Sequence, residues 1–275
     1  MKVDFHTHST GSDGSNTPDE LLNLALEKNI EYLSITDHDT LDGIKAIENF
    51  PNLNKLKFIP GVEISAEFLN TLHLLGYGFD IKNKRLNKVL EDLQEYRKKR
   101  NVLMIENMQK LGFQISLEEL KEEAGGELIG RPHFASLMVK KNYVSNKQEA
   151  FDKYLKKGAP LYLDKKRLDP KDAILLIKEA GGVVVLAHPY QTKLDEQNLD
   201  NLIRELVDYG LDGIETYYSL HTKEMIERYK ALAKKYDLFI TAGSDYHGTN
   251  KLGIEMGINI SKEELEPFLK ILRMF

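Results

Sequence analysis

The chain opens with a short apolar run closed by two histidines one residue apart, Lys2-Val3-Asp4-Phe5-His6-Thr7-His8. Side chains i and i+2 of a strand project from one face, so His6 and His8 can present two imidazoles to one point in space. The arrangement recurs. Thr36-Asp37-His38-Asp39, Gly61-Val62-Glu63-Ile64, Leu72-His73-Leu74, Ala187-His188-Pro189 and Ser244-Asp245-Tyr246-His247 each follow or interrupt an apolar run. One such histidine alone is more often a satisfied core or surface imidazole, whereas HxH and DxH pairs repeated at strand ends point to a metal centre. The chain contains no cysteine. Any metal is therefore held by His nitrogen and carboxylate oxygen, and disulfides and thiolate sites are excluded.

Between these points the pattern alternates strand and helix. Thr17-Pro18-Asp19-Glu20 reads as an N-cap with proline at the first helical position. An apolar run to Asp37, a helix over 41–50 and a strand over 58–64 follow. From Pro170 the alternation resumes, with helices over 170–180, 199–209, 223–235 and 261–274 and strands over 183–187, 213–217 and 238–242. Such βαβ traffic closes well into a barrel. The candidate ligands fall at or just beyond carboxyl ends of strands, where α/β barrels place their active sites. Residues 1–85 and 170–275 are expected to form this barrel. Residues 86–169 read as a helical insertion, with a long helix over 84–111 and shorter pieces over 117–123, 132–140 and 147–156. The run Arg97-Lys98-Lys99-Arg100 is expected on an exposed face of the long helix.

Net charge is −5 with a pI near 6.0, whereas dedicated nucleic-acid-binding domains are strongly basic, so long duplex nucleic acid is not an expected partner. The charge is unevenly spread. Residues 96–170 carry sixteen Lys and Arg against ten Asp and Glu, a balance of +6, and the rest of the chain stands at −11. A basic segment beside a metal centre could attract an anionic substrate, or it could be a solvated helix surface. Neither a secretory leader pattern nor an apolar run long enough to span a membrane is visible, and the cysteine-free composition fits a reducing cytoplasm.

Taken in order, His6-Thr7-His8, Thr36-Asp37-His38-Asp39, Glu63, His73, Arg131-Pro132-His133, His188 and Ser244-Asp245-Tyr246-His247 resemble the PHP (polymerase and histidinol phosphatase) family over essentially the whole chain. The resemblance implies a distorted (β/α)7 TIM-like barrel with a helical insertion and a three-metal hydrolytic centre. It implies that His6, His8, Glu63 and Asp245 hold one metal, that Glu63, His73 and His188 hold a second, and that Asp13, His38 and His247 hold a third. Histidinol phosphatases tend to carry histidine where Asp13 stands in Gly11-Ser12-Asp13-Gly14. Aspartate resembles instead the branch that acts on nucleotides. In that branch the Arg and His of a motif like Arg131-Pro132-His133 contact substrate phosphate, a task for which the planar arginine fork is suited.

The implied reaction is hydrolysis of a phosphoester by metal-activated hydroxide, with no covalent enzyme intermediate. Mixed His and carboxylate sites accept Mn, Fe or Zn, and Mn is favoured here. Asp245, His247 and Asp37 are expected nearest the proton transfers; Asp37 and Asp39 either orient His38 and its neighbours or receive a proton. His221 could contact a phosphate or a base, or begin the next helix as a polar cap. Tyr217 and Tyr218 read as strand packing, and Lys165, Lys166 and Arg167 lie too far from any motif to assign. Ser9, Ser12 and Ser244 do not sit in a Gly-x-Ser-x-Gly elbow, which argues against a serine hydrolase.

The expected substrate is a small anionic nucleotide, a nucleoside 3′,5′-bisphosphate or 5′-monophosphate. Alternatives are stepwise 5′-3′ removal of nucleotides from short RNA, a histidinol-phosphate phosphatase, and a metal-binding structural module without turnover.

Overall fold

Strands covered on both faces need apolar side chains at every position, and Val183-Val184-Val185-Leu186 is such a strand, buried throughout. The computed structural model describes residues 1–47, 50, 56–124 and 129–272. The first part runs β1 (Lys2–Asp4), α1 (Pro18–Glu27), β2 (Tyr32–Leu33), α2 (Asp42–Ala46), β3 (Lys57–Phe58), β4 (Gly61–Ala66) and β5 (Leu72–Tyr77). A helical stretch follows: α3 (Lys84–Lys110), α4 (Leu117–Ala124), α5 (Arg131–Lys140) and α6 (Lys147–Ala150), which passes into a π-helical turn at Phe151–Leu155. The last part runs α7 (Pro170–Glu179), β6 (Val183–Leu186), α8 (Glu196–Tyr209), β7 (Gly213–Tyr218), α9 (Lys223–Lys235), β8 (Phe239–Gly243), β9 (Ile258–Asn259) and α10 (Lys262–Leu272). The helix expected over 41–50 is shorter than that, and parts of it and of the last helix lie outside the described residues.

Local chemistry explains the helix starts. Thr17 Oγ1 accepts from Glu20 N while the Glu20 carboxylate accepts from Thr17 N, a reciprocal capping box, and Pro18 opens α1 where its missing N–H costs nothing. At the starts of α3, α7, α8 and α9 the side chains of Asn83, Asp169, Asp195 and Thr222 each accept one backbone N–H, without the reciprocal bond. Among the described residues no helix is long and apolar enough to cross a membrane.

The strands form a mixed α/β fold with two sheets, ordered β3-β2-β1-β9 and β4-β5-β6-β7-β8. β1, β2 and β3 are parallel, as are β6, β7 and β8, but β5 runs antiparallel to both β4 and β6. The hairpin β4–β5 corrects the expectation that every ligand lies at a carboxyl end. His73 is the second residue of β5, opposite Ser65, and Glu63 lies inside β4. Reversing β5 brings its amino end to the same edge as the carboxyl ends of its neighbours, so His73 still reaches the shared edge. Backbone bonds link the two sheets at both margins. Phe5 N donates to Ala242 O and Asp245 N to His6 O, while Glu63 N donates to Asp37 O and Asp39 N to Glu63 O.

Leu86, Leu90 and Leu93 of α3 pack into the apolar core shared with β4, β5 and α7, whereas Met104, Ile105 and Met108 enter a separate cluster with Phe134, Met138 and Leu155. The change of core thus falls within α3. The same helix corrects a second expectation. Arg97 and Arg100 are not part of an exposed face, because positions 93, 97, 100 and 104 share the inward stripe of a 3.6-residue period. Arg100 is 5% exposed, and Arg97 Nη2 lies 2.5 Å from Asp39 Oδ2. Lys98 and Lys99 point to solvent.

Asp4 ties β1 to β8. Its carboxylate accepts from His6 N, from Ser244 N and Oγ, and from Gly257 N, all at 2.5–3.2 Å. Gly243 permits this approach, since a Cβ there would stand 2.3 Å from His6 Cβ. Asp4→Asn would turn one acceptor oxygen into a donor facing donors, and a destabilisation of about 2–3 kcal/mol is expected in denaturant unfolding. A change below about 0.5 kcal/mol would mean that the knot contributes little.

Candidate metal centre

Glu63 is the hub. It is buried on a strand, and its two oxygens face five imidazoles. Oε1 lies 2.8 Å from His73 Nδ1, 2.9 Å from His188 Nε2 and 3.4 Å from His6 Nε2; Oε2 lies 2.8 Å from His38 Nδ1 and 3.4 Å from His8 Nε2. Asp245 Oδ1 closes the opposite side, 3.3 Å from His8 Nε2, 3.6 Å from His6 Nε2 and 3.3 Å from His247 Nδ1. Asp13 lies 3.3 Å from His247 Nε2 and 3.8 Å from both His38 Nε2 and His8 Nδ1.

The backbone at this edge is unusual. His188, Asp245 and Asp39 all have positive φ, at 24°, 57° and 54°. Such conformations cost on the order of 1–3 kcal/mol each and persist where the surroundings over-determine them.

Burial alone would raise the carboxyl pKa values, yet the facing imidazoles hold Glu63, Asp245 and Asp13 well below the usual range. Burial and the neighbouring His247 and His38 push His8 down to about 3, and burial pushes His73 down to about 4. Against the effect of burial, the facing carboxylates raise His6, His38 and His247, the last to about 9, so His8 and His73 are the rings held neutral and a divalent cation would displace protons from the other three.

The unsatisfied atoms fit the same chemistry. His6 Nε2, His8 Nε2, His38 Nδ1, His188 Nδ1 and Glu63 Oε2 are buried without a hydrogen-bond partner. Several of them nonetheless stand within 3.5 Å of one another without hydrogen-bond geometry. Lone pairs converging in this way are relieved by a shared cation. The ligand atoms fall into overlapping groups that could each hold an ion: His8, Asp13, His38 and His247; His6, His8 and Glu63; His6, His188 and Asp245; His38, Glu63 and His73. All nine sequence-selected donors are thus brought together, though the groups overlap and His188 sits with His6 and Asp245.

Other selected residues lie elsewhere. A cavity of about 270 Å³ opens over the centre, lined by Asp13, His38, Glu63, His73, His188, Asp245 and His247 and, from the helical stretch, by Glu123, Pro132, His133, Ser136 and Lys147. His133 Nδ1 accepts from Gly130 N, so in the neutral ring Nε2 carries the proton and is the donor. Arg131, His221 and Asp37 are not on this wall. Arg131 stacks over Tyr162 and donates to Leu155 O. His221 packs among Tyr190, Tyr218 and Tyr229 and bonds Thr216 O, with Nε2 buried. Asp37 is engaged by Ser9 N, Ser9 Oγ and Ser12 Oγ, which hold the loop before Asp13.

Sequence reasoning missed the residues that support the donors. Glu215 accepts from His6 at Nδ1, 2.8 Å, and from His188 N, 2.8 Å, which aims His6 Nε2 inward. Its signal was available: Gly213-Ile214-Glu215 repeats the pattern Gly61-Val62-Glu63, a carboxylate inside an apolar strand. Tyr218 OH, read as strand packing, donates to Asp245 Oδ2 at 2.7 Å, and Lys251 Nζ pairs with the same oxygen. Nothing local marks Lys251, which reaches the centre from a loop. Glu215→Gln is expected to weaken metal retention about 10–100-fold with the fold intact, read by metal analysis after dialysis; unchanged stoichiometry would remove Glu215 from the centre's support.

With the geometry in place, comparison with known proteins decides the family. The PHP domain matches residues 4–244. The chain belongs to the PHP domain family. This PHP chain is 32% identical over 247 residues to a 5′-3′ exoribonuclease of Haemophilus influenzae, covering 90% of each protein. It is 28% identical over 270 residues to a 3′,5′-nucleoside bisphosphate phosphatase of Chromobacterium violaceum, covering 98% of this chain and 94% of that one. Among solved structures it resembles a putative metal-dependent phosphoesterase of Bifidobacterium adolescentis, with a TM-score of 0.83, 27% identity and coverage of 98% and 95%. By family and donor set, this PHP chain is a metal-dependent phosphoesterase.

Proposed function

We propose that this chain is a cytoplasmic phosphatase that hydrolyses a phosphate monoester of a small nucleotide, a nucleoside 3′,5′-bisphosphate or 5′-monophosphate. Three divalent ions, Mn favoured over Fe or Zn, would be held by His6, His8, Glu63 and Asp245, by Glu63, His73 and His188, and by Asp13, His38 and His247. The observation that carries this reading is Glu63, one carboxylate faced by five imidazoles beneath a cavity of about 270 Å³. That volume lies at the small end for ligand sites, in keeping with a small substrate.

When bound, the ions would activate water near neutral pH and neutralise phosphate oxygens. The chain's own residues do the rest. Tyr218 and Lys251 hold Asp245 Oδ2, leaving Oδ1 for the centre. His133 Nε2–H and Lys147 on the cavity wall offer donors to a phosphate. The bonds between the two sheets support reading them as one distorted seven-stranded barrel, with residues 86–169 as an insertion that closes the substrate side.

A second reading, stepwise 5′-3′ hydrolysis of short RNA, is favoured by the relative in Haemophilus influenzae. The test is phosphate or nucleotide release by Mn-loaded protein from adenosine 3′,5′-bisphosphate, adenosine 5′-monophosphate, a short 5′-phosphorylated RNA and histidinol phosphate. Turnover of a mononucleotide is expected. Nucleotide release from RNA alone would establish the second reading, and activity confined to histidinol phosphate would overturn both.

A further inference from the structure

Of the six histidines at the centre, His38 is the one whose ring is held by no hydrogen bond among the described residues. His6 is bonded to Glu215, His8 to Ser12, His73 and His188 to Glu63, and His247 to the backbone oxygen of Asp245. The His38 ring has only its approach to Glu63 Oε2 at 2.8 Å and to Asp13 Oδ2 at 3.8 Å, and its Nδ1 is buried without a hydrogen-bond partner. A ring without such a tether takes its aim from its own backbone. The residue that fixes that backbone is Asp39.

Asp39 is bonded at its amide, its carbonyl and both carboxylate oxygens. Its N–H donates to Glu63 O at 2.9 Å and its Oδ1 accepts from Ser65 N at 2.9 Å, which fastens it to β4 beside Glu63. The other two oxygens are held from α3, Oδ2 by Arg97 Nη2 at 2.5 Å and the carbonyl by Gln94 Nε2 at 3.3 Å. Positions 94 and 97 are neighbours on one helix face, so both side chains reach the same residue. Asp39 is 2% exposed and sits at a φ of 54°, a conformation that persists where the surroundings over-determine it. Arg97 lines neither the cavity over the centre nor the open cleft between Tyr96 and Lys165. Its guanidinium is spent on Asp39 rather than offered to a ligand.

We infer that Arg97 is a positioning residue of the metal centre: acting through Asp39, it fixes the aim of the His38 ring toward the ion shared with Asp13 and His247, and so sets how tightly that ion is held. The inference rests on reading the centre as a metal site. It gives the helical stretch a task besides lining the cavity, because α3 braces a loop that carries a donor. The sign of the effect separates this role from simple electrostatics. Removing a nearby cation relieves repulsion on a divalent ion and would tighten its binding. Releasing Asp39 instead lets the His38 ring turn away, which loosens it.

The test is a calorimetric titration of Mn into the chelator-stripped parent, Arg97→Met, Arg97→Lys, Asp39→Asn and the double variant Arg97→Met/Asp39→Asn, with KM and kcat at saturating Mn on a substrate that the parent turns over. Arg97→Met is expected to weaken Mn binding at the weakest site about 10–100-fold, and Arg97→Lys to recover most of that loss. The double variant is expected within about twofold of Asp39→Asn, since the two residues act through one bond, and KM within about twofold of the parent. Mn affinity that is unchanged or tighter in Arg97→Met overturns the inference, as does a double variant whose loss is the product of the two single losses. So does a KM raised about tenfold with Mn affinity intact, which would put Arg97 on the substrate. A parent that takes up no Mn overturns the metal reading and this inference together, whereas a parent that binds Mn without hydrolysing a nucleotide leaves the titration decisive. Should Arg97→Met not fold, Gln94→Leu, which removes the bond to Asp39 O, takes its place: weaker Mn binding supports the inference and equal binding overturns it.

Discussion

Glu63→Gln is expected to lower phosphate release by about a thousandfold or more, equivalent to about 4 kcal/mol of transition-state stabilisation. The carboxylate is where five imidazoles converge, and an amide of the same shape would present one donor nitrogen among ring nitrogens that are themselves constrained by Glu215 and by backbone. It also lacks the negative charge with which Glu63 would attract a cation. The measurement is initial rate with metal content on the same sample. Loss of rate together with metal would place Glu63 as a bridging donor. Full metal content and a rate within tenfold of the parent would refute that role.

Stripping divalent ions with a chelator should abolish turnover and lower the midpoint of thermal unfolding by about 8–16 °C. An ion present at a thousand times its dissociation constant adds about 4 kcal/mol to stability, and for a chain of this size each kcal/mol is worth roughly 2–4 °C. The physical origin is the set of buried atoms without partners, His6 Nε2, His8 Nε2, His38 Nδ1 and Glu63 Oε2 among them. Restoring Mn should recover both rate and midpoint. A chelated protein with unchanged midpoint and full turnover would remove metal from the chemistry.

How much of this was legible in the sequence differs from residue to residue for a physical reason. His6 and His8 announce themselves because spacing of two on an extended segment fixes a common face, whereas Asp245 and His247 share the pattern in sequence but meet the centre through a left-handed turn at Asp245. Cap residues and the 3.6-residue apolar stripe located α1 and α7 through α10, because both are local properties. Glu215 carried a signal equal to that of Glu63, a carboxylate inside an apolar strand, but its partners lie 209 and 27 positions away.

By itself, then, the sequence determined the candidate donors, the absence of thiolate chemistry, the starts of capped helices such as α1, α7 and α9, and the family resemblance, since each depends on residue type and short-range spacing. Only the tertiary structure decided the antiparallel turn of β5 that places His73, the inward stripe of Arg97 and Arg100, the saturation of Asp37 by two serines, and the meeting of Lys251 and Tyr218 on Asp245. These depend on which distant segments pack together, and packing is set by burial and closure over the whole chain rather than by any window of it.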